Sequence, residues 1–386
     1  MYIISASDDF KYIEGWLKTN VLTSDEKLEM LVETRNREYM LKAINNSDYK
    51  LEDRHRLILA QMLKNAKIKA ELSKRYEPEC IQNKIELPFS MTVGIEIESE
   101  GYFALNFLGE IWEGWKAEKE ATNVADGLEV KSPKLKSTEE DSKSIYKMCN
   151  TLIDIGQEVS EQWGGHIHIG ADFLTGTDSY VNLLKMWCVS EKILYLISNQ
   201  ENEITRESAI IGDEYAKPIS KKIKQAIENG TINLDTEQDL EDFIEQLKEV
   251  QELEEGDDRY FSINFLNIGK ENKNTIEFRL PNATLSPKIW IENINLFGGI
   301  VKAAEEIAIV QRKPEIERTE EEKEKLQLFE KLISGRLEER EILDILLTLT
   351  VKADKKQIYV SRYESNKKLM KKHPNLKKIL DEEIEF

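Results

Sequence analysis

The stretch Trp163-Gly164-Gly165-His166-Ile167-His168-Ile169-Gly170 decides how this sequence is read. Side chains alternate faces along a β-strand, so His166 and His168 share one face and Ile167 and Ile169 the other. The flanking glycines permit tight turns and close approach of a ligand or another backbone. Two of the four histidines in 386 residues stand here. Alone, the pair fits a metal or phosphate site and a structural histidine pair about equally well. The neighbouring strands have to decide between them.

Before it, Thr92-Val93-Gly94-Ile95-Glu96-Ile97-Glu98 alternates isoleucine with glutamate, the pattern of a strand with one apolar and one carboxylate face. Taken alone, that carboxylate face reads as the solvent side of an antiparallel sheet. Asp126-Gly127-Leu128-Glu129-Val130-Lys131-Ser132-Pro133 reads as a turn and a short strand ended by proline. After it, Arg259-Tyr260-Phe261-Ser262-Ile263-Asn264-Phe265 returns to strand alternation. Asn274-Thr275-Ile276-Glu277-Phe278-Arg279-Leu280-Pro281 puts Glu277 and Arg279 on one face and Ile276, Phe278 and Leu280 on the other. Tyr102 to Leu105 and Ile111 to Trp115 read as further strands.

Helices alternate with these segments. Residues 137–156 form one, with Ile145, Met148, Cys149 and Leu152 on its apolar side. Val181 to Ser198 is a buried helix whose Met186 and Trp187 are core. Ser286-Pro287 opens another, running to about Ile309, with serine at the N-cap and proline at the first position. The chain then divides into a helical N-terminal appendage (1–87), a catalytic segment (88–312) with an acidic helical insertion (219–258), and a charged helical C-terminal segment (313–386). Thr23-Ser24-Asp25-Glu26 has the spacing of a capping box. His55, between Arg54 and Arg56, and His373, before Pro374, read as surface residues. Tyr215-Ala216-Lys217-Pro218 reads as a loop.

Composition sets the limits. Forty per cent hydrophobic residues suit a globular protein with a core, and no apolar run approaches the roughly 18–20 residues of a membrane span. The N-terminal residues lack signal-peptide character, and Cys80, Cys149 and Cys188 form no CxxC pair, so a cytoplasmic setting is expected. A net charge of −19 argues against nucleic acid and anionic membranes as partners, while leaving room for a local basic pocket. Much of that charge lies in Asp235 to Asp258, twelve acids against Lys248, read as a solvated helix face or flexible insertion.

Glu96/Glu98, His166/His168 and Glu277/Arg279 thus repeat one device, polar groups at i and i+2 with an apolar residue between; Glu129 adds a fourth strand. Aligned in one sheet, four carboxylates and two imidazoles would meet. Crowding such acids costs on the order of several kcal/mol per ion unless cations offset it. Mg²⁺ or Mn²⁺ suits carboxylate oxygens and accepts an added imidazole, and the planar fork of Arg279 suits a phosphate. Carboxylate-held metals with an arginine are the equipment of phosphoryl transfer from ATP. With no GxxxxGK[ST] loop and no kinase signature, the nucleotide must be held in another way.

The succession Gly94-Ile95-Glu96-Ile97-Glu98, Leu128-Glu129-Val130-Lys131-Ser132-Pro133, Gly165-His166-Ile167-His168 and Ile276-Glu277-Phe278-Arg279 resembles the amidoligase family. That family belongs to the carboxylate–amine ligase superfamily, with glutamine synthetase and glutamate–cysteine ligase. The resemblance covers roughly residues 91–310; Tyr215 to Pro218 and Arg259-Tyr260 also resemble family positions. It implies an α+β fold: a curved antiparallel sheet of glutamine synthetase-like type backed by helices, with ATP and two or three Mg²⁺ on its concave face. It implies Glu96, Glu98, Glu129, His168 and Glu277 as metal ligands and Arg279 as contact to the transferred phosphate. Lys217 and Arg259 become contacts to nucleotide or substrate. His166 stays open between metal ligand, support for a ligand and substrate contact, and stands with Arg279 as a catalytic candidate.

The expected activity is ATP- and Mg²⁺-dependent joining of a carboxylate to an amine, on an amino acid or peptide, through an acyl phosphate. Two alternatives accompany it. A metal-dependent hydrolase on the same His/Glu site would turn over without nucleotide. A non-catalytic protein would keep the fold and use its helical ends for a partner or for self-association.

Overall fold

The computed structural model describes residues 10–119, 127–160, 163–205, 216–252 and 260–372. Among them are thirteen α-helices, the one expected over 137–156 being α6 (Glu139–Asp154), and seven strands, an α+β architecture. The strands are β1 (Val93–Glu100), β2 (Gly109–Glu110), β3 (Lys116–Lys119), β4 (Gly127–Lys131), β5 (Gly165–Gly170), β6 (Ile263–Asn264) and β7 (Thr275–Phe278). They form one sheet in the order β2-β3-β4-β1-β5-β7-β6. The pairings β1–β5, β5–β7 and β6–β7 are antiparallel, as are β2–β3 and β3–β4. Contacts group the chain into two units, one of residues 1–81, 98–133 and 143–159, the other of 82–97, 134–142 and 160–386.

In the first unit, helices α1 (Phe10–Lys18), α2 (Ser24–Glu33), α3 (Arg37–Ile44), α4 (Asp53–Met62) and α5 (Ala66–Tyr76) bury Ile13, Leu17, Leu28, Leu31, Leu57, Leu59 and Leu72. The capping box at α2 is present, with Thr23 and Glu26 bonding each other's backbone N–H. His55 is not a surface residue. It is 1% exposed: Nε2 lies 2.8 Å from Asp25 Oδ1 on α2, and Nδ1 accepts the Glu52 N–H at 3.3 Å. Its neighbour Arg54 reaches the other oxygen of the Asp25 carboxylate from a more exposed position, Nη2 to Oδ2 at 3.1 Å.

Two expected strands are absent. Residues 104–107 form a 3₁₀ turn, and Ile111 to Trp115 is the loop of the β2–β3 hairpin. Gly114, at φ +74°, takes the left-handed conformation that lets the Trp115 N–H reach the Trp112 carbonyl at 2.9 Å. Ile111, Trp112 and Trp115 are all buried, so their apolar character reflects core contacts rather than strand alternation.

In the second unit the register sorts side chains by face. Ile95 opposes Ile167, which opposes Phe278, which opposes Ile263. This apolar face packs on two long helices, α7 (Thr177–Ile197) and α10 (Pro287–Arg312). The Phe278 ring lies 5.3 Å from Trp187 of α7 and stacks on Phe297 of α10 at 4.9 Å. Gly165 is required where β5 meets α10, because a Cβ there would sit 2.8 Å from the Asn282 carbonyl and against the Trp290 ring.

The remaining helices of this unit are α8 (Ser220–Glu228), α9 (Leu240–Glu252), α11 (Glu320–Ile333), α12 (Glu339–Thr350) and α13 (Lys356–Met370). Helix α9 carries part of the acidic run. It buries Phe243, Leu247 and Val250 and exposes Glu241, Asp242, Glu245 and Glu249, a solvated acidic face as expected. Residues 253–258 of that run lie outside the described residues, as does His373. No helix among the described residues is long and apolar enough to cross a membrane.

Candidate active site

The same register that makes the apolar face assembles a polar one. Glu96 of β1 stands opposite His166 of β5; His168 stands opposite Glu277 of β7, which stands opposite Asn264 of β6. The period of two makes this automatic: once isoleucine and phenylalanine take the helix side, the intervening acids and imidazoles must share the other.

Glu96, His166, His168 and Glu277 are 4–8% exposed, so each charge needs a partner. Glu96 Oε2 lies 3.1 Å from His166 Nδ1, and its Oε1 lies 3.3 Å from His168 Nε2 and 3.1 Å from Lys273 Nζ. Glu277 Oε1 accepts from Arg279 Nη1 at 2.5 Å; its Oε2 accepts from the Asn264 and Asn267 amides at 3.1 and 3.0 Å. The Arg279 guanidinium also lies over the Tyr260 ring, 5.4 Å from its centroid. Thr275 Oγ1 is 3.1 Å from His168 Nδ1 and orients that ring.

Burial works to raise the Glu277 carboxyl, but the charges of Arg279 and the two imidazoles outweigh it and bring it down to about 2. Glu96 follows the same balance: burial raises it, and hydrogen bonds to His166 and His168 hold it far below the usual carboxylate range. Both are therefore anionic at neutral pH.

Glu96, His168 and Glu277 each offer one ligand atom within 4.8 Å of the others. His168 Nε2 is buried, with Glu96 Oε1 facing it at 3.3 Å. A divalent cation between an imidazole nitrogen and carboxylate oxygens would satisfy all of them, and this donor set suits Mn²⁺ or Mg²⁺.

Other expected site residues stand as follows. Glu98 is buried on β1, and Glu129, half-buried on β4, pairs with Lys131 at 3.0 Å; both belong to the first unit. Lys217 is half-buried, and its backbone bridges to the segment at Phe261, donating to the Tyr260 carbonyl and accepting from the Ser262 N–H, each at 2.7 Å. Arg259 and Tyr215 lie outside the described residues.

Three groups were missed from sequence. Lys273 and Asn267 lie in the β6–β7 loop, where no periodicity marks them. Glu191, 2% exposed in the apolar helix α7, accepts the N–H groups of Ile219 and Ser220 at 2.9 and 3.0 Å. It also receives both serine hydroxyls, Ser220 and Ser262, and the Trp187 indole at 3.3 Å. It thereby caps α8 and ties that end of the chain to Ser262, whose carbonyl accepts the Arg279 N–H at 2.9 Å. The signal was present: one acid in the buried stripe that holds Trp187 and Leu194.

Fold and site together define an α+β protein whose antiparallel sheet carries a buried carboxylate–imidazole–guanidinium cluster on one face. Residues 113–301, just under half of the chain, match the model of the family described as "Putative amidoligase enzyme". The match includes Glu129, His166, His168, Glu277 and Arg279; it begins after Glu96, which register alone places in the site. No curated protein matches the chain.

Proposed function

We propose that this protein is an ATP- and Mg²⁺-dependent ligase that joins a carboxylate to an amine, on an amino acid or peptide, through an acyl phosphate. One observation carries the reading: Glu96, His168 and Glu277 converge within 4.8 Å beside Arg279 in a buried site. The family match supports ligase chemistry.

Glu96, His168 and Glu277 would hold the metal. When bound, the metal supplies charge neutralisation on the ATP phosphates. Arg279, paired with Glu277 and lying over the Tyr260 ring, would contact the transferred phosphoryl group. Lys217, whose backbone bridges to Phe261, would contact nucleotide or substrate. The residues act by holding charge and orientation, which is most of what phosphoryl transfer asks of a protein.

The test is incubation of the pure protein with ATP, Mg²⁺ and pools of amino acids or peptides, with ADP, phosphate and amide product measured. Amide formed together with equal ADP supports the ligase. Turnover without nucleotide would assign the site to a hydrolase instead, and a folded protein that neither binds nor turns over Mg·ATP would remove both readings.

A further inference from the structure

Lys273 precedes β7 by two residues, and its Nζ lies 3.1 Å from Glu96 Oε1, the oxygen that also faces His168 Nε2. It thus reaches one of the atoms offered to a metal. The two cations of this cluster differ in setting. The Arg279 side chain is 8% exposed and locked by Glu277, whereas the Lys273 side chain is 43% exposed. A lysine ammonium on a flexible stem leaves for water at small desolvation cost; a buried guanidinium does not. With Lys273 in place, Glu96 and Glu277 face two cations; without it, the pairing partners of Glu96 among the described residues would be the two imidazoles.

We propose, resting on the metal-binding reading above, that Lys273 is a built-in competitor: it neutralises Glu96 while no metal is bound and must swing out for a metal to enter. An ammonium and a divalent ion repel at this separation and cannot both sit against one carboxylate oxygen. Lys273 therefore lowers the affinity of the empty site for metal, and it keeps the buried carboxylates paired until metal arrives.

The experiment is titration of the full-length protein with Mn²⁺ alone, free Mn²⁺ being read by its electron paramagnetic resonance signal. Wild type is compared with Lys273→Ala, Lys273→Arg and, as a control for net charge, Lys302→Ala, whose lysine pairs with Glu306 on the surface of α10. Lys273→Ala is expected to bind Mn²⁺ about 2- to 5-fold more tightly at low salt, a partly exposed ion pair having been removed. The gain shrinks as salt rises, while Lys273→Arg stays near wild type and Lys302→Ala is unchanged. Equal affinity of Lys273→Ala and wild type, or equal gains in Lys273→Ala and Lys302→Ala, would overturn the competitor while leaving the metal site standing. If no folded variant and no wild type binds Mn²⁺, the metal-binding reading itself is overturned.

Discussion

His166 stands directly across the β1–β5 ladder from Glu96, with its Nδ1 3.1 Å from the carboxylate Oε2. His168, two residues on, reaches the other oxygen of the same carboxylate through Nε2 at 3.3 Å. One acid therefore links two imidazoles, and the imidazoles divide in role. His168 shares a cluster with Glu96 and Glu277; His166, which also offers a ligand atom beside Glu96, is 3.7 Å from Glu277 Oε1 and is assigned, in the proposed site, the orienting role. His168→Ala is expected to weaken Mn²⁺ binding at least about 10-fold, and His166→Ala by less, since loss of an orienting partner costs less than loss of a ligand. Equal losses in the two titrations would erase the division.

Glu277 accepts from Arg279, Asn264 and Asn267. Replacing it by glutamine keeps the shape but turns one acceptor into a donor that faces donors, and removes the carboxylate charge paired with the buried Arg279 guanidinium. Glu277→Gln is expected to abolish metal binding and metal-dependent activity while the protein still folds. It should also lower stability by about 3 kcal/mol, the range for breaking a buried ion pair. Urea denaturation and Mn²⁺ titration on the same preparation check both halves; retained metal-dependent activity would remove Glu277 from the site.

The same residue sets a pH dependence. Its folded-state value, about 2, lies below the ordinary 4.5, so ionised Glu277 stabilises the fold. That contribution is complete above about pH 4.5 and is lost as pH falls toward 2, because the unfolded chain then takes up the proton first. Metal-free wild type should lose stability between pH 5 and 3 more steeply than Glu277→Gln, the difference approaching roughly 3 kcal/mol at its limit. Parallel pH profiles for the two proteins would contradict the assignment.

His55 makes a separate test in the first unit, where it joins α2 to α4 through Asp25 and the Glu52 N–H. His55→Ala should cost about 1–3 kcal/mol, as it deletes a buried side chain and two hydrogen bonds. Asp25→Asn should cost less than about 1 kcal/mol, because Asp25 is 57% exposed and water replaces its partners. Chemical denaturation curves of the two variants should rank in that order.

Legibility from sequence followed periodicity. Glu96, His166, His168, Glu277 and Arg279 were readable because a strand period of two fixes which residues share a face, and four such strands narrow the chemistry. The glutamine synthetase-like curvature was an inference from resemblance, whereas the antiparallel α+β sheet follows from the pairings themselves. Lys273 and Asn267 were unreadable because a loop carries no period, and only the fold returns it over Glu96 and Glu277. The aromatic run at Ile111 to Trp115 misled because burial, not alternation, selects its residues; Gly114 was the mark of a turn. His55 misled because charged neighbours in sequence say little about a helical residue's own face.

Glu191 offers the last prediction, and it concerns position rather than chemistry. Its carboxylate receives two backbone N–H groups at the start of α8, two hydroxyls and an indole. The backbone bridge at Lys217 and the Ser262 carbonyl that accepts from Arg279 lie within three residues of those contacts. Glu191→Ala leaves several buried donors unmatched at about 1–3 kcal/mol each, so a loss of roughly 3 kcal/mol or more is expected. Glu191→Gln keeps one acceptor oxygen and should fall between the two. The distinguishing readout is amide exchange: Ile219 and Ser220 should lose protection in Glu191→Ala well beyond the global change, because their acceptor is gone. Mn²⁺ affinity should stay near wild type, since Glu96, His168 and Glu277 keep their contacts. Unchanged exchange at those two amides would show that another group caps α8.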